Sequence, residues 1–225
     1  MLAYANTSSQ SWKAPRQAPP SGVVSFAGAG QLTGSPMPFA RNEEVYGDGE
    51  PAEFIYQVIS GAVRTYKVLN DGRRQICAFH LPGDVFGLEA GEEHSFSAEA
   101  VSQSAVLVIK RSTVTTLAAG DPAVARQLLN LTACELQKMQ DHVMLLIKTA
   151  QERVASFLLQ MARRMPAADE IELPMSRQDI ADYLGLTIET VSRTLTQLEM
   201  RATIALPSSR RIVLRNRSLL DRLNA

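Results

Sequence analysis

The stretch SRQDIADYLGLTIETVSRTLTQLEM, residues 176–200, decides the fold of the C-terminal part of this chain. Ser176 and Asp179 have the spacing of a capping box, with an acid in place of the usual Glu or Gln, so a helix is predicted to begin after Ser176. Gly185 can adopt a positive φ and end that helix. Thr187 can then cap a second helix. The stretch therefore predicts a helix-turn-helix.

The second predicted helix has an apolar face and a polar face. Val191, Leu195 and Leu198 recur at steps of four and three, which is typical of a helix with one buried side. The polar face carries Glu189, Thr190, Ser192, Arg193 and Thr194. A recognition helix places such side chains in the major groove of DNA, so the chain is a candidate DNA-binding protein.

Three residues of the polar face are predicted to read bases. Glu189 can accept a hydrogen bond from cytosine N4, and Arg193 can donate two to guanine O6 and N7. They are four residues apart, so they lie one turn apart on the same face. Ser192 beside them is small enough for close approach. The alternative is that Glu189 and Arg193 form an ordinary surface ion pair.

The segment ATIALPSSRRIVLRNRS, residues 202–218, predicts a β-hairpin with a basic tip, the wing of a winged helix. Residues 186–217 contain six arginines and two glutamates, a balance that suits phosphate contact. Arg210 and Arg211 could alternatively be a solvated hairpin tip. The predicted phosphate contacts are Ser176, Arg177, Thr187, Thr190, Thr194, Arg210 and Arg211.

Composition sets limits on the class of protein. The 225 residues include 23 basic and 23 acidic side chains, so the basic character of the C-terminal part is local. Cys77 and Cys134, the two cysteines, exclude a disulfide framework and favour a reducing, cytoplasmic setting. No apolar run is long enough to span a membrane, and no signal peptide is recognisable, so no membrane partner is expected. Residues 1–36 are predicted to form a flexible N-terminal arm.

The region before the helix-turn-helix is predicted to be an antiparallel β domain followed by a long helix. Residues 53–108 contain short apolar strands separated by turn signals, of which Asn70-Asp71-Gly72 is the strongest. This pattern favours a sandwich or jelly roll. We assign residues 37–120 to the β-roll, 121–148 to a dimerisation helix and 149–225 to the winged helix-turn-helix, an α+β fold class.

The long helix carries a heptad seam of about three heptads. Its members are Leu129, Thr132, Leu136, Met139, Val143 and Leu146. The seam could pack on the chain's own sheet. The alternative is a parallel two-stranded coiled coil, and such a homodimer would supply the second helix-turn-helix that a palindromic DNA site requires.

This order of elements resembles the CRP/FNR family of bacterial transcription regulators. The motifs that carry the resemblance are YQVISG at 56–61, PGD at 82–84, SRQDIA at 176–181 and ETVSR at 189–193. The ETVSR form is typical of the FNR branch. It implies base reading by Glu189, Ser192 and Arg193, a TTGAT site followed by its inverted repeat, a homodimer, and RNA polymerase as a partner.

The resemblance can be narrowed by residues that are absent. The first 76 residues contain no cysteine, so the iron–sulfur cluster of FNR is not expected. Phe96 stands where the cyclic-AMP-binding relatives have the phosphate-binding Arg, and Leu88 stands where they have the ribose-binding Glu. An anionic phosphate then loses its charge-assisted anchor. The histidines His80, His94 and His142 are interpreted as surface or packing residues rather than haem ligands. No cofactor is therefore expected.

Residues 55–89, IYQVISGAVRTYKVLNDGRRQICAFHLPGDVFGLE, resemble the FixK branch of the family. The resemblance implies activation of genes for low-oxygen respiration, denitrification and nitrogen fixation. The sequence leaves a second function open and argues against a third. The same scaffold could sense an unrecognised small ligand in the roll. An enzyme is not supported, because no nucleophile–base pair, phosphate-binding loop or metal cluster is recognisable.

Overall fold

The computed structural model describes residues 23–24, 32–165 and 169–224. Its strands are β1 (Val23–Val24), β2 (Leu32–Thr33), β3 (Ser35–Phe39), β4 (Glu44–Tyr46), β5 (Phe54–Ser60), β6 (Val63–Val68), β7 (Arg74–His80), β8 (Val85–Phe86), β9 (Ser97–Ala100), β10 (Ser104–Lys110), β11 (Glu170–Glu172), β12 (Ile204–Ala205) and β13 (Arg211–Leu214). Its helices are α1 (Arg111–Gly120), α2 (Pro122–Leu146), α3 (Ala150–Arg164), α4 (Arg177–Leu184), α5 (Ile188–Met200) and α6 (Arg217–Asn224).

The N-terminal strands form the predicted β-roll. One antiparallel sheet has the strand order β3-β10-β5-β8, and the other has the order β4-β9-β6-β7. Side chains from both sheets, such as Val58, Val63 and Val106, are buried between them. At the β5–β6 turn Gly61 has φ +82°, and a Cβ there would lie 2.7 Å from Ser104 Cα, so the turn requires glycine.

The predicted boundary of the N-terminal arm at residue 36 is wrong, because Ser35 and Pro36 already belong to β3. β3 pairs with β10 over five residues, which fixes this segment to the roll. Val23–Val24 also pairs with Leu32–Thr33 in a short antiparallel ladder. Residues 1–22 and 25–31 of the arm lie outside the described part of the chain.

The long helix α2 starts and ends close to the predicted limits. The Asp121 side chain accepts a hydrogen bond from Ala123 N at 2.8 Å, and Pro122 occupies the first helical position, so the chain is well suited to begin a helix there. The 25 residues of α2 span about 37 Å. One side of the helix, with Val124, His142 and Leu145, is buried.

The C-terminal part is a winged helix, with α3 to α6 packed on a sheet of order β11-β13-β12. Its core is built from fully buried side chains such as Phe157, Leu184 and Leu198. This core is continuous with residues of the roll, since the Phe79 ring of β7 lies 5.2 Å from that of Tyr183 in α4. The winged helix is therefore docked on the roll of its own chain.

Candidate DNA interface

The helix-turn-helix has the caps that the sequence predicts. Ser176 Oγ accepts from Asp179 N at 3.1 Å, and Ser176 N donates to Asp179 Oδ2 at 2.9 Å, which completes a capping box at the start of α4. Gly185 ends α4 in the left-handed conformation with φ 61°. Thr187 Oγ1 then accepts from Thr190 N at 3.2 Å and begins α5. These local bonds hold α5 in a defined orientation to α4.

The predicted base-reading side chains lie on the outer face of α5. Val191, Leu195 and Leu198 are buried, whereas Glu189 and Arg193 are exposed. Ser192 is half-buried between the two faces. Hydrogen bonds from its own backbone amide and from the Thr187 hydroxyl lower the pKa of the Glu189 carboxyl, so Glu189 is an acceptor at neutral pH. In the described structure Glu189 and Arg193 are not among the ion-paired residues, so both remain available to a ligand.

The predicted phosphate contacts around α4 and α5 occupy three kinds of position. Ser176, Thr187 and Thr190 are at the helix starts, where backbone N–H groups suit anions. Arg177 is half-buried, and its guanidinium donates to Ser192 Oγ at 3.3 Å, which links the two helices. The prediction for Thr194 is wrong. Thr194 is only 5% exposed because it shares the buried stripe of α5 and faces the protein core.

The wing is formed as predicted, with Ala205 opposite Val213 in the β12–β13 ladder. The backbone amides of Arg210 and Arg211 both donate to Ser208 Oγ, which closes the tip of the hairpin. The Arg211 guanidinium forms an ion pair with Glu170 of β11, and this hydrogen bond lowers the pKa of the Glu170 carboxyl. A phosphate contact by Arg211 would therefore compete with Glu170, a partner 41 residues away that the sequence pattern does not indicate.

The heptad seam of α2 faces solvent in the monomer. Leu129 is 68% exposed, Leu136 60% and Val143 59%. Thr132 and Met139 are exposed as well, and Leu146 is half-buried. The alternative in which the seam packs on the chain's own sheet is therefore not supported, since that side of α2 is occupied by Val124 and Leu145. The helix presents a continuous apolar stripe that nothing within the described residues covers.

The interior of the roll is filled by aromatic rings. Tyr46 stacks on His94 with ring centroids 3.6 Å apart, and Tyr56 stacks on Phe86 at 5.2 Å. Burial raises the pKa of Tyr56 to about 12. A small apolar cavity of about 10 Å³ beside Leu88 lies on the other face of the β3-β10-β5-β8 sheet, between Ile55, Ile109 and the helices α1 and α2. That cavity has room for about one water molecule.

The segment that would contact a nucleotide in the roll is held by internal bonds. The Glu89 carboxylate accepts from His94 Nδ1 at 3.4 Å and from Ser95 Oγ at 3.3 Å. Arg111 donates to the Glu89 carbonyl at 2.5 Å and to the Gly91 carbonyl at 2.6 Å. Glu89, the acidic residue next to Leu88 in the sequence, therefore already has hydrogen-bond partners within the chain.

His80 of β7 is a buried histidine inside the closely packed roll. Its ring is 4% exposed, stacks on Phe86 and is 3.2 Å from Thr65 Oγ1. Burial lowers the pKa of His80 to about 3, partly offset by the Asp84 carboxylate and reinforced by Lys138 and Arg164. At neutral pH the ring is therefore uncharged.

We expect the stability of the protein to fall below pH 6.5 partly because of His80. The unfolded chain binds a proton at pH values where the folded His80 does not, so acidification favours unfolding. One such proton costs roughly 1 kcal/mol per pH unit between about pH 6 and 3. Urea denaturation at several pH values should show a shallower pH dependence for His80→Gln than for the wild type. Equal slopes would contradict a buried neutral His80.

No helix in the described residues is long and apolar enough to cross a membrane. Residues 152–223 match the family profile of the Crp-like helix-turn-helix domain, and residues 36–121 match that of the cyclic nucleotide-binding domain. The chain is 57% identical over 198 residues to the nitrogen fixation regulation protein FixK of Azorhizobium caulinodans, an alignment that covers 85% of this chain and 80% of the relative. The chain belongs to the CRP/FNR family.

Within the CRP/FNR family the chain belongs to the FixK branch. The structure of FixK2 from Bradyrhizobium japonicum superposes with a TM-score of 0.84 at 54% sequence identity, covering 86% of this chain and 98% of that structure. The transcriptional activatory protein AadR of Rhodopseudomonas palustris is 39% identical over 173 residues, 75% of this chain and 72% of the relative. The predicted fold class and family are confirmed, and the relatives are transcription regulators rather than enzymes.

Proposed function

We propose that this CRP/FNR regulator binds a TTGAT-type palindrome as a homodimer, without a small-molecule effector, and activates transcription from it. The observation that carries the proposal is the outer face of α5, where Glu189 and Arg193 are exposed one turn apart on a capped helix. A carboxylate and a guanidinium at this spacing can accept from cytosine and donate to guanine. The relatives' name, nitrogen fixation regulation protein FixK, supports a role in nitrogen fixation, and the resemblance of residues 55–89 to the FixK branch extends the proposal to low-oxygen respiration.

The homodimer is supported by the exposed seam of α2. Leu129, Leu136 and Val143 recur every seven residues, and Met139 lies on the same stripe. An apolar seam of this period is buried by a second helix in a parallel coiled coil. The two winged helices would then be related by a twofold axis, which matches the inverted repeat of a palindromic site.

Activation requires contact with RNA polymerase, which we propose as the protein partner. The activator role is supported by the name of the relative AadR, a transcriptional activatory protein.

The direct test of the DNA site is an electrophoretic mobility shift with pure protein and a TTGAT palindrome. A duplex with both half-sites scrambled is the control, and equal binding to the two duplexes would contradict the proposed site.

The effector-free state is supported by the filled interior of the roll. Tyr46, Tyr56, Phe86 and His94 occupy it, and Phe96 and Leu88 replace the charged side chains that bind cyclic AMP in other relatives. A ligand shifts a conformational equilibrium only by its differential affinity for the two states. If no nucleotide binds, the dimer must be competent for DNA on its own.

We therefore expect operator affinity to be unchanged by cyclic AMP. The measurement is fluorescence anisotropy of a labelled palindrome with and without the nucleotide, combined with calorimetry of the nucleotide alone. A gain of about tenfold, or about 1.4 kcal/mol, from any nucleotide would contradict the proposal. DNA binding that appears only after addition of a cell extract would favour the alternative, a sensor of an unrecognised small ligand in the roll.

A further inference from the structure

Five charged side chains join the roll to the first helix of the helix-turn-helix, and we call them the interdomain ion network. They are Arg64, Arg74, Glu99, Asp179 and Asp182. Arg64 of β6 lies at the centre, with one guanidinium nitrogen 2.7 Å from Glu99 Oε1 and the other 2.7 Å from Asp179 Oδ1. Arg74 adds contacts of 2.8 Å to Asp179 Oδ1 and to Asp182 Oδ2.

The network is largely shielded from solvent. The side chains of Arg64 and Asp179 are 7% and 5% exposed, and that of Glu99 is 14% exposed. A buried charge is tolerated only when it is paired, so the position of each group is determined by its partners. A guanidinium also fixes the direction of its bonds, because its donors form a rigid planar fork.

Asp179 connects the interdomain ion network directly to the helix-turn-helix. Its Oδ2 accepts from Ser176 N and Ser176 Oγ in the capping box, while its Oδ1 accepts from Arg64 and Arg74. The carboxylate that begins α4 is therefore the same carboxylate that binds the roll. Since α5 follows α4 through the Gly185 turn, the orientation of α5 relative to the roll depends on this contact.

Apolar packing alone restricts the orientation of α4 on the roll less than the ion pairs do. Phe79 contacts Tyr183 and Phe157 across the same boundary, at ring distances of 5.2 and 6.4 Å. The stabilising free energy of such contacts is roughly proportional to the buried area and depends little on direction. Ion pairs of about 2.7 Å with a planar guanidinium restrict sliding and rotation of α4 on β7.

We propose that Arg64 is a positioning residue that sets the separation of the two recognition helices in the dimer. This inference rests on the proposed function, because the separation acquires meaning only when two copies of α5 meet two half-sites. The roll carries the dimer helix α2, so fixing α4 to the roll fixes each α5 relative to the twofold axis. In a protein without an effector, the interdomain ion network keeps the two α5 helices at a fixed separation. A bound ligand would have to stabilise that separation if the network were absent.

The test compares Arg64→Gln with Arg73→Gln in the full-length protein. Arg73 lies on the same hairpin, is 77% exposed, and within the described residues forms an ion pair with Asp71 alone. Arg73→Gln therefore removes the same charge outside the network. Anisotropy is measured with three labelled duplexes: the TTGAT palindrome, a single half-site, and the palindrome with one base pair inserted between the half-sites.

For Arg64→Gln we expect about tenfold weaker binding to the palindrome, a change of less than about twofold on the single half-site, and a smaller penalty for the inserted base pair. Arg73→Gln should match the wild type on all three duplexes. Equal losses on the palindrome and the half-site would show a merely structural role for Arg64, and an unchanged affinity for the palindrome would also overturn the proposal.

Two alternative variants and a hydrogen-exchange measurement complete the test. If Arg64→Gln does not fold, Arg64→Gln/Glu99→Gln removes one uncompensated carboxylate, and Arg74→Gln breaks the more exposed arm of the network. Hydrogen exchange should show lost protection in α4 and unchanged protection in α2, and unchanged protection in α4 would overturn the role of Arg64. A wild type that does not prefer the palindrome would contradict the proposed function, and the exchange of α4 would still decide whether the network fixes that helix.

Discussion

Replacing Leu136 with aspartate is expected to convert the dimer into monomers and to reduce operator affinity by more than about 100-fold, equivalent to roughly 2.7 kcal/mol. Leu136 is 60% exposed in the monomer and lies in the middle of the α2 seam. In a parallel pair the two aspartates would face each other in an apolar interface, where unpaired charges are strongly disfavoured. Each monomer would then bind one half-site without the contribution of the second.

Light scattering and anisotropy on the TTGAT palindrome check this expectation together. Asn130→Asp is the matched control, since it adds the same charge to an exposed position of α2 next to the seam. It should remain dimeric and bind the operator as the wild type does. If Leu136→Asp stays dimeric, or if its monomer binds the palindrome as tightly as the wild type, the seam is not the dimer interface. Val143→Asp, one heptad further along, should reproduce the result.

The parts of the fold that could be predicted from the sequence are those set by neighbouring residues. The capping box at Ser176, the left-handed Gly185 and the cap at Thr187 each depend on residues within one helical turn. The heptad seam of α2 is also a local repeat. For these features the short-range pattern and the final packing agree, which is typical of a consistently folded sequence.

The strands β3, β4 and β9 have weak individual sequence signals, and their composition explains why. β3 is Ser-Pro-Met-Pro-Phe, which has two prolines and is mostly exposed, as suits an edge strand. β4 has only three residues. β9 is Ser-Ala-Glu-Ala, whose buried residues are alanines too small to give a clear apolar alternation. β3 is held by pairing with β10, β9 by pairing with β6, and β4 by pairing with β9, and local sequence does not show these long-range pairings.

Errors at the candidate interface have similar causes. Thr194 was assigned to the polar face by residue type, yet with Val191, Leu195 and Leu198 it completes a stripe spaced by three, one and three residues, which predicts burial. Glu170 beside Arg211 and the contact of Arg64 with Asp179 join residues 41 and 115 positions apart. Such pairs follow from the docking of separate elements, so no sequence period indicates them.

Replacing Arg193 with alanine is expected to cost about 1–3 kcal/mol per half-site and to relax the preference for guanine at one position of each half-site. Arg193 is exposed on α5 and is not held by an acidic partner in the described structure, so its guanidinium is free to form two bonds to one base. With two half-sites per dimer, the loss on the full palindrome would reach about 2–6 kcal/mol, or roughly 30-fold to 25,000-fold in affinity.

Arg210→Ala distinguishes base reading from phosphate contact. Arg210 lies at the wing tip and is predicted to contact the backbone, so its removal should weaken binding to all sequences alike and lower the salt dependence of binding. Titrations of both variants against the palindrome, against palindromes with each guanine replaced, and at several salt concentrations provide the comparison. Arg193→Ala should bind the wild-type and substituted sites with nearly equal affinity.

Arg193→Ala and Arg210→Ala should therefore differ in the sequence dependence of the affinity loss as well as in its size. A phosphate contact carries no sequence information, whereas a bidentate contact to guanine is lost when either the base or the arginine is replaced. If Arg193→Ala weakened every sequence by the same factor, Arg193 would be a phosphate contact, and the outer face of α5 would not be the reading surface. If it instead erases discrimination at one base pair, the exposed pair Glu189 and Arg193 accounts for the specificity of this regulator, because the buried half of α5 cannot reach the bases.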